Sequence, residues 1–227
     1  GALKTILNQA NPNFSGDTSP LPVTRARYPV DEDYINAMTA TISAMDSSCL
    51  CIQGPPGAGK TYTATHVITA LVKVGKRIGI LSNSHAAIMN LLEGLPSVLP
   101  DANLVKVAGY GPIKEFRKLF PEEEHPNLNY RSSMSFTQKA PYQQYDVIGA
   151  TVYAFAKQIA YDDPVDYLFV DEASQVALAN LIVVTGAANN IILMGDQMQL
   201  EQPIQGTHPE PAGKSALEFM LKGQSVI

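Results

Sequence analysis

The sequence predicts an α/β fold in which helices cover both faces of a parallel sheet. Short apolar runs alternate with segments of helical periodicity along the 227-residue chain, a pattern typical of parallel strands that are joined by helices. The runs are apolar at nearly every position, as expected for strands that are buried on both faces. Apolar residues make up 45% of the chain, which is enough to form a buried core at this length.

The predicted helices and strands follow each other in a regular order. A helix begins at Val30, with Asp31 as its N-cap, and continues to about Met45. Further helices are predicted at 60–74, 86–92 and 176–185, the first of them ended by a glycine. The predicted strands are 49–53, 78–81, 104–107, 147–150, 167–170 and 191–194.

Two segments lack this regular pattern. Residues 1–28 are rich in proline and small polar residues and are predicted to form an extended lead-in or linker. Residues 109–145 contain four prolines and an acidic run, and we predict an irregular insertion there. The remaining pattern predicts one domain over residues 29–227.

Composition limits the kinds of partner that the chain can bind. Its formal net charge is −5 and its pI is near 5.3, which argues against binding nucleic acid through bulk positive charge alone. The sequence has no apolar run of about 18 residues or more and no signal-peptide pattern at its start. We therefore expect an intracellular, cytoplasmic chain without a membrane partner.

The cysteines and histidines give no sign of a disulfide or a transition-metal site. Cys49 and Cys51 lie two residues apart, on one face of a predicted strand, and are too close there for an ordinary disulfide. We expect both to be buried thiols. The four histidines are scattered without the spacing of metal ligands, so no transition-metal site is predicted.

A glycine-rich turn lies between the first predicted strand and the helix that follows it. The turn matches the phosphate-binding pattern G-x-x-x-x-G-K-[ST] in full, in the strand–loop–helix context that this pattern requires. Glycines let successive N–H groups point at phosphate oxygens, and the positive end of the helix faces the same anion. The lysine should reach the β- and γ-phosphates of ATP, and the threonine hydroxyl should bind Mg. The predicted nucleotide-binding residues are Gly54, Pro55, Pro56, Gly57, Ala58, Gly59, Lys60 and Thr61.

Two carboxylates, Asp171 and Glu172, end a later apolar strand. In an open parallel sheet, the carboxyl ends of the strands lie beside the phosphate loop. We predict that Asp171 holds Mg and that Glu172 orients or deprotonates the attacking water. Lys60 and Glu172 are therefore candidate catalytic residues.

Four segments resemble motifs of the superfamily 1 helicases, in the group related to the RNA-surveillance helicase and the eukaryotic nuclease-helicase. Residues 171–175 (DEASQ) resemble motif II, and residues 195–200 (GDQMQL) with Pro203 resemble motif III. Residues 80–87 (ILSNSHAA) are similar to motif Ia, and residues 147–151 (VIGAT) are similar to motif Ic. The resemblance implies a RecA-like P-loop NTPase domain that hydrolyses ATP and acts on single-stranded DNA or RNA.

The resemblance also assigns roles to single residues. Gln199 would sense the γ-phosphate as a third catalytic residue and nucleotide contact. Short hydroxyl and amide side chains can donate to the phosphates of a single strand. Side chains of this type at strand ends often cap the next helix instead, and this alternative stays open. The implied nucleic-acid contacts are Ser82, Asn83, Ser84, His85 and Thr151.

Two features depart from the family pattern. Tyr34 stands where the family places a glutamine that reads the adenine edge. A tyrosine can stack on adenine but cannot make a two-point amide contact, so a preference for ATP over GTP is left open. The chain ends at Ile227, shortly after motif III, whereas in the family a second RecA-like domain supplies motifs IV to VI and the arginine fingers. That domain is the expected partner, and this chain alone is expected to be nearly inactive.

The resemblance implies the core domain of a helicase or translocase of the 5′-to-3′ class, and a fused nuclease domain is compatible with it. One rival is a nucleotide-dependent binding switch, for which Glu172 and Gln199 together would have little use. A second rival is a small-molecule kinase, in which motif III and the Ser-Asn-Ser segment would have no role.

Overall fold

A seven-stranded sheet forms the centre of the computed structural model, which describes residues 1–16, 22–132, 142–196 and 214–221. Its strands are β1 (Cys49–Gln53), β2 (Ile78–Leu81), β3 (Leu104–Ala108), β4 (Leu128–Ser132), β5 (Val147–Ala150), β6 (Val165–Val170) and β7 (Ala188–Gly195). They lie in the order β1-β7-β6-β2-β5-β3-β4, and all pairs are parallel. The predicted α/β fold is confirmed.

Ten α-helices surround this sheet in the described part of the chain. They are α1 (Ala2–Leu7), α2 (Asp31–Ser43), α3 (Lys60–Lys73), α4 (His85–Leu92), α5 (Leu95–Val98), α6 (Tyr110–Leu119), α7 (Val152–Phe155), α8 (Gln158–Asp162), α9 (Leu178–Val184) and α10 (Ala216–Leu221). Two short 3-10 helices cover Ala173–Gln175 and Thr185–Ala187. None of the helices within the described ranges is both long and apolar enough to cross a membrane.

Two apolar cores lie on opposite faces of the sheet. Successive strand residues alternate between them, so that Leu168 and Val170 pack against one layer of helices and Tyr167 and Phe169 against the other. One core contains α1 and α7 to α10, and the other contains α2 to α6. Burial on both faces explains why the central strands are apolar at nearly every position.

The path of the chain explains this division of the helices. From β1 to β4 the chain moves across the sheet in one direction, and from β5 to β7 it returns. Parallel crossover connections are right-handed, so a reversal of direction moves the connecting helices to the opposite face. Because every strand points the same way, all their carboxyl ends meet at one edge of the sheet, which we call the carboxyl edge.

The prediction of an irregular insertion at 109–145 is wrong for its described part. Helix α6 and the outermost strand, β4, lie there. Pro112 is tolerated because it stands in the first turn of α6, where backbone N–H groups have no partner within the helix. Strand β4 alternates between buried residues such as Leu128 and Tyr130 and more exposed ones, and this edge-strand pattern differs from that of the central strands.

The segment 1–28 also differs from the predicted extended lead-in. Residues 2–7 form α1, and its buried side chains Ala2 and Ile6 pack beside β1 and β7. Asp31 is the first residue of α2 and not its N-cap, a position that Val30 occupies without a side-chain cap.

Both cysteines are free thiols. Cys49 is fully buried, as predicted, and Cys51 is partly buried.

Candidate nucleotide and nucleic-acid site

The sequence motifs come together along the carboxyl edge of the sheet. Across neighbouring strands, this edge carries the phosphate loop after β1, residues 195–196 at β7, residues 171–172 after β6, residues 82–85 after β2 and Thr151 after β5. The nucleotide motifs therefore occupy one half of the edge and the motifs implied in nucleic-acid contact occupy the other half.

The phosphate loop has the backbone geometry of an anion cradle. Gly57 and Gly59 adopt φ values of 77° and 79°, which disfavour residues with a side chain. Gly54 stands close to the far side of the loop, since a Cβ added there would lie 3.2 Å from the Cβ of Ala58. Helix α3 begins at Lys60 without a side-chain cap, so its first N–H groups remain available to a phosphate.

Lys60 lies within this loop. Its Nζ donates hydrogen bonds to the carbonyl of Gly54 and, at 2.9 Å, to that of Pro55. These carbonyls hold the ammonium group over the cradle, where a phosphate oxygen would compete for it. The residues present therefore fit a nucleoside polyphosphate.

Asp171 offers a nearly buried carboxylate beside the loop. Its N–H donates to the carbonyl of Leu81 at 2.8 Å, and its Oδ1 accepts from the N–H of Glu172 at 2.9 Å. Burial raises the pKa of the Asp171 carboxyl, and the positive charge of Lys60 partly opposes this shift. A divalent cation would offset the same burial cost, and Thr61 is exposed at the start of α3 as a second oxygen ligand. The donor set therefore fits Mg.

Glu172 is held in a backbone conformation that most residues avoid. Its φ and ψ are 52° and 43°, in the left-handed region, which costs about 1 kcal/mol or more for a residue with a side chain. The Oγ of Ser82 donates to Glu172 Oε2 at 3.4 Å. A strained residue that ends a strand beside a phosphate loop is typical of a functional position.

The motif Ia residues after β2 contact the motif II segment. Ser82 is fully buried, and its hydroxyl donates to Glu172. Its predicted contact with nucleic acid stays a prediction. Asn83 donates from Nδ2 to the carbonyl of Gln175 at 2.6 Å. Ser84 caps α4 by accepting from the N–H of Ala87, as in the capping alternative.

Thr151 and His85 remain at the surface of this half of the edge. Thr151 is partly exposed, stands at the N-cap position of α7 and makes no cap hydrogen bond with its side chain. His85 is the first residue of α4. Just before Thr151, a Cβ added to Gly149 would lie 2.5 Å from Leu92 Cδ1, so glycine allows α4 to pack closely against β5.

Motif III is described only in part. Gly195 pairs with Gln53 in the sheet, and its carbonyl accepts from the N–H of Gly54 at 3.2 Å, which joins motif III to the phosphate loop. Asp196 is buried at the end of β7. Gln199 and Pro203 lie outside the described residues, so the γ-phosphate sensor stays a prediction.

Comparison with known proteins agrees with this arrangement. A family model described as an AAA domain matches residues 37–204, a range that includes the phosphate loop, Asp171 and Glu172. The chain belongs to the AAA domain family.

Similar proteins confirm the resemblance to superfamily 1 helicases. The DNA replication ATP-dependent helicase/nuclease dna2 of Schizosaccharomyces pombe is 27% identical over 192 residues, which cover 85% of this chain and 13% of that protein. The DNA polymerase alpha-associated DNA helicase A of the same organism is 24% identical over 213 residues, covering 76% of this chain and 32% of that protein. This AAA domain thus spans less than a third of the length of either protein.

A solved structure shows the same fold. It is that of a nuclease-deletion mutant of the Type ISP restriction-modification enzyme LlaGI in complex with a DNA substrate mimic. The match has a TM-score of 0.50 and 16% identity, and it covers 79% of this chain and 18% of that one.

An arginine that the sequence patterns did not reveal, Arg25, lies beside the phosphate loop and comes from the segment before the matched range. Its guanidinium stacks on Tyr34 at 4.1 Å from the ring centroid and pairs with Asp31. The Nη2 atom of Arg25 is also close to the phosphate loop, since a Cβ added to Gly59 would lie 3.9 Å from it. The guanidinium therefore covers one face of the ring that was predicted to stack on adenine, and no sequence pattern joins these positions because they meet only through the fold.

A second group that the sequence patterns missed is the pair Lys106 and His85 of the AAA domain. Lys106 is fully buried in the middle of β3, where its Nζ lies 3.0 Å from His85 Nδ1 and 5.9 Å from the ring centroid of Phe116. Burial lowers the pKa of Lys106 to about 7. Burial and then the charge of Lys106 lower the pKa of His85. The sequence did contain a sign of this pair, because Lys106 is a charged residue inside the otherwise apolar run of β3.

Proposed function

We propose that this AAA domain is the ATP-binding and ATP-hydrolysing core of a helicase or translocase that acts on single-stranded DNA or RNA. One observation carries the proposal: motif Ia and motif II contact each other through the Ser82–Glu172 and Asn83–Gln175 hydrogen bonds. The carboxylate that would orient water is thereby linked to the segment that would lie against nucleic acid. A motor needs such a link, because hydrolysis must change the affinity of the motor for the nucleic-acid strand.

The proposed chemistry divides among residues at the carboxyl edge. The phosphate loop and Lys60 bind the polyphosphate, and Thr61 and Asp171 would hold Mg, which would supply charge neutralisation at the transferred phosphoryl group. Glu172 accepts the proton of the attacking water or orients it, in a position that Ser82 fixes. Gln199 senses the γ-phosphate. His85 and Thr151 contact the single strand, whereas Ser82 is buried and contacts Glu172.

The relatives support the wider setting of the proposal. Proteins named as DNA replication helicase/nucleases suggest a DNA strand as substrate and a nuclease domain elsewhere in the parent protein. A second RecA-like domain of the parent is the proposed partner, with translocation in the 5′-to-3′ direction and an intracellular location. The rival binding switch is less favoured because it does not require Glu172 to be held in a strained position beside motif Ia.

Lys60→Ala should weaken Mg-nucleotide binding roughly ten- to a hundredfold, because it removes a charge-assisted contact to phosphate. Isothermal calorimetry with ADP and with a non-hydrolysable ATP analogue measures this change. Lys73→Ala is the matched control, since Lys73 is exposed at the opposite end of the same helix. Equal ADP affinity of the Lys60→Ala variant and the parent chain would contradict the assigned nucleotide site.

The same titrations test the motor proposal when a single-stranded oligonucleotide is present. If the two halves of the edge are coupled, the oligonucleotide should change analogue affinity, and the analogue should change oligonucleotide affinity by the same factor. If the chain binds both ligands but the affinity for the analogue is the same with and without the oligonucleotide, the binding switch would be favoured.

ATP and GTP should bind within about tenfold of each other, because stacking on Tyr34 and Arg25 does not distinguish the edges of the two purines. Competition titrations against a fluorescent ADP analogue measure the ratio. Tyr34→Gln is the informative variant, since a two-point amide contact should raise the preference for ATP. A preference well above about a hundredfold in the parent chain would mean that another group reads the adenine edge.

A further inference from the structure

Arg25 lies between two parts of the proposed nucleotide site. Its guanidinium carbon is 4.1 Å from the centroid of the Tyr34 ring, where the base is predicted to stack. Its Nη2 atom is close to Gly59, the last glycine of the phosphate loop. Tyr34 belongs to α2, Gly59 directly precedes α3, and these two helices pack against each other. The guanidinium therefore joins the predicted base position to the phosphate loop.

The contacts of the guanidinium leave one of its nitrogens available to a ligand. Nη1 pairs with the carboxylate of Asp31, and the Tyr34 ring covers one face of the group. Nη2, the nitrogen beside Gly59, has no hydrogen-bond partner among the described residues. The Arg25 side chain is 42% exposed, so a ligand can reach it from solvent. The two N–H groups of Nη2 are therefore free to donate.

The position of Nη2 favours a phosphate oxygen as its acceptor. Gly59 is the N-cap of α3, and no side chain caps the first N–H groups of that helix. A phosphate held by these N–H groups lies within about 3 Å of them, on the loop beside which Nη2 stands. Guanidinium groups bind phosphate through charge-assisted hydrogen bonds, which are stronger than those between neutral groups.

The charges around Arg25 point to the same acceptor. The first turn of α2 carries three carboxylates, those of Asp31, Glu32 and Asp33. A polyphosphate bound beside this turn would be repelled by them. Arg25 offsets one of the three through its pair with Asp31 and brings a positive charge to the loop. Lys60 supplies the other positive charge inside the loop.

The contact with Tyr34 indicates which phosphate is involved. A nucleotide with its base at Tyr34 and its γ-phosphate toward Glu172 has its α-phosphate nearest the base. We infer that Arg25 donates from Nη2 to the α-phosphate of the bound nucleotide. This inference rests on the proposed function and adds to its site a residue from outside the matched range, 37–204.

A ligand without a base separates a phosphate contact from a base contact. Ribose 5′-diphosphate carries the two phosphates of ADP but no adenine. Arg25→Gln should weaken the binding of both ligands by the same factor, roughly tenfold, because one charge-assisted contact is lost from each. Calorimetry measures the affinity for Mg-ADP, and displacement of ADP measures the affinity for Mg-ribose 5′-diphosphate.

Arg27→Gln is the matched control. It removes the same charge from the same segment, but the Arg27 guanidinium lies over Tyr28, at 5.9 Å from that ring centroid. Its affinity for both ligands should equal that of the parent chain. An equal loss in Arg27→Gln would overturn the inference, because the effect would then come from net charge alone.

Asp31→Asn tests whether Arg25 acts only by holding its own segment in place. This variant breaks the ion pair but keeps the guanidinium, so it should bind ADP at least as tightly as the parent chain. If Asp31→Asn instead reproduces the loss seen in Arg25→Gln, the role of Arg25 is structural and the inference is wrong. Arg25→Lys should recover part of the affinity, since it keeps the positive charge.

The outcomes also separate this inference from the proposed function. If the parent chain binds no Mg-ADP, both fail. If it binds ADP and Lys60→Ala weakens that binding while Arg25→Gln does not, the proposed function stands and the inference is wrong. A loss in Arg25→Gln that is confined to ADP, with unchanged affinity for ribose 5′-diphosphate, would assign Arg25 to the base and overturn the phosphate contact.

Discussion

Glu172→Gln is expected to slow ATP hydrolysis by roughly 10²- to 10⁴-fold while Mg-nucleotide binding persists. Glutamine keeps the size of the side chain and can still accept from Ser82, but it cannot take a proton from water. The phosphate loop, Lys60 and Asp171 are unchanged, so the nucleotide complex still assembles. Phosphate release under single-turnover conditions, with the chain in excess over labelled ATP, measures even slow rates.

A matched control for this variant is Glu93→Gln. Glu93 is an exposed glutamate that follows α4, so its replacement should leave hydrolysis unchanged. Nucleotide affinity of both variants is measured by calorimetry to show that the site is intact. Equal single-turnover rates for Glu172→Gln and the parent chain would remove Glu172 from the proposed chemistry.

Lys106→Met is expected to raise the free energy of unfolding near pH 6 by roughly 1 to 4 kcal/mol, because an apolar side chain replaces a buried charge. The pKa of Lys106 is about 7 in the folded chain and 10.5 in its ordinary state. Between these values the unfolded chain holds a proton that the folded chain has released. The unfolding free energy of the parent chain should therefore rise with pH across this window, and the rise should be smaller in Lys106→Met.

Urea denaturation of both proteins at pH 6, 7.5 and 9 measures this difference. Comparing the two proteins at each pH cancels the titration of other groups. Lys106→Arg provides the opposite test, because arginine keeps its charge throughout this range and should destabilise the domain. A Lys106→Met variant that is less stable than the parent chain at every pH would mean that contacts with His85 and Phe116 compensate the buried charge in full.

The parts of the molecule that follow from local chemistry could be predicted from the sequence. The phosphate loop is one of them, because the positive φ values of Gly57 and Gly59 and the start of α3 are encoded within a few residues. The central strands are another, since burial on both faces leaves a continuous apolar run. Strand β4 and helix α6 were missed because an edge strand alternates and because a proline in a first helical turn resembles a loop signal.

Features that arise from neighbouring elements could not be predicted in this way. Ser82 follows its strand directly, where side chains are often exposed, but it is fully buried in the fold and its hydroxyl donates to Glu172. Arg25 reaches Tyr34 and Gly59 through the fold of the segment before α2.

The position of β1 has a consequence for the order in which the domain is completed during synthesis. Among the described strands, β1 pairs only with β7, from Cys49↔Ile191 to Gln53↔Gly195. The N–H of Ser48 likewise donates to the side chain of Asn190 at 3.0 Å, across a sequence separation of 142 residues. Until the ribosome has released β7, β1 has no neighbouring strand in this sheet. The phosphate loop that follows β1 is then not anchored to the sheet. The nucleotide cradle is encoded early in this sequence, yet it is among the last parts of the domain to be completed.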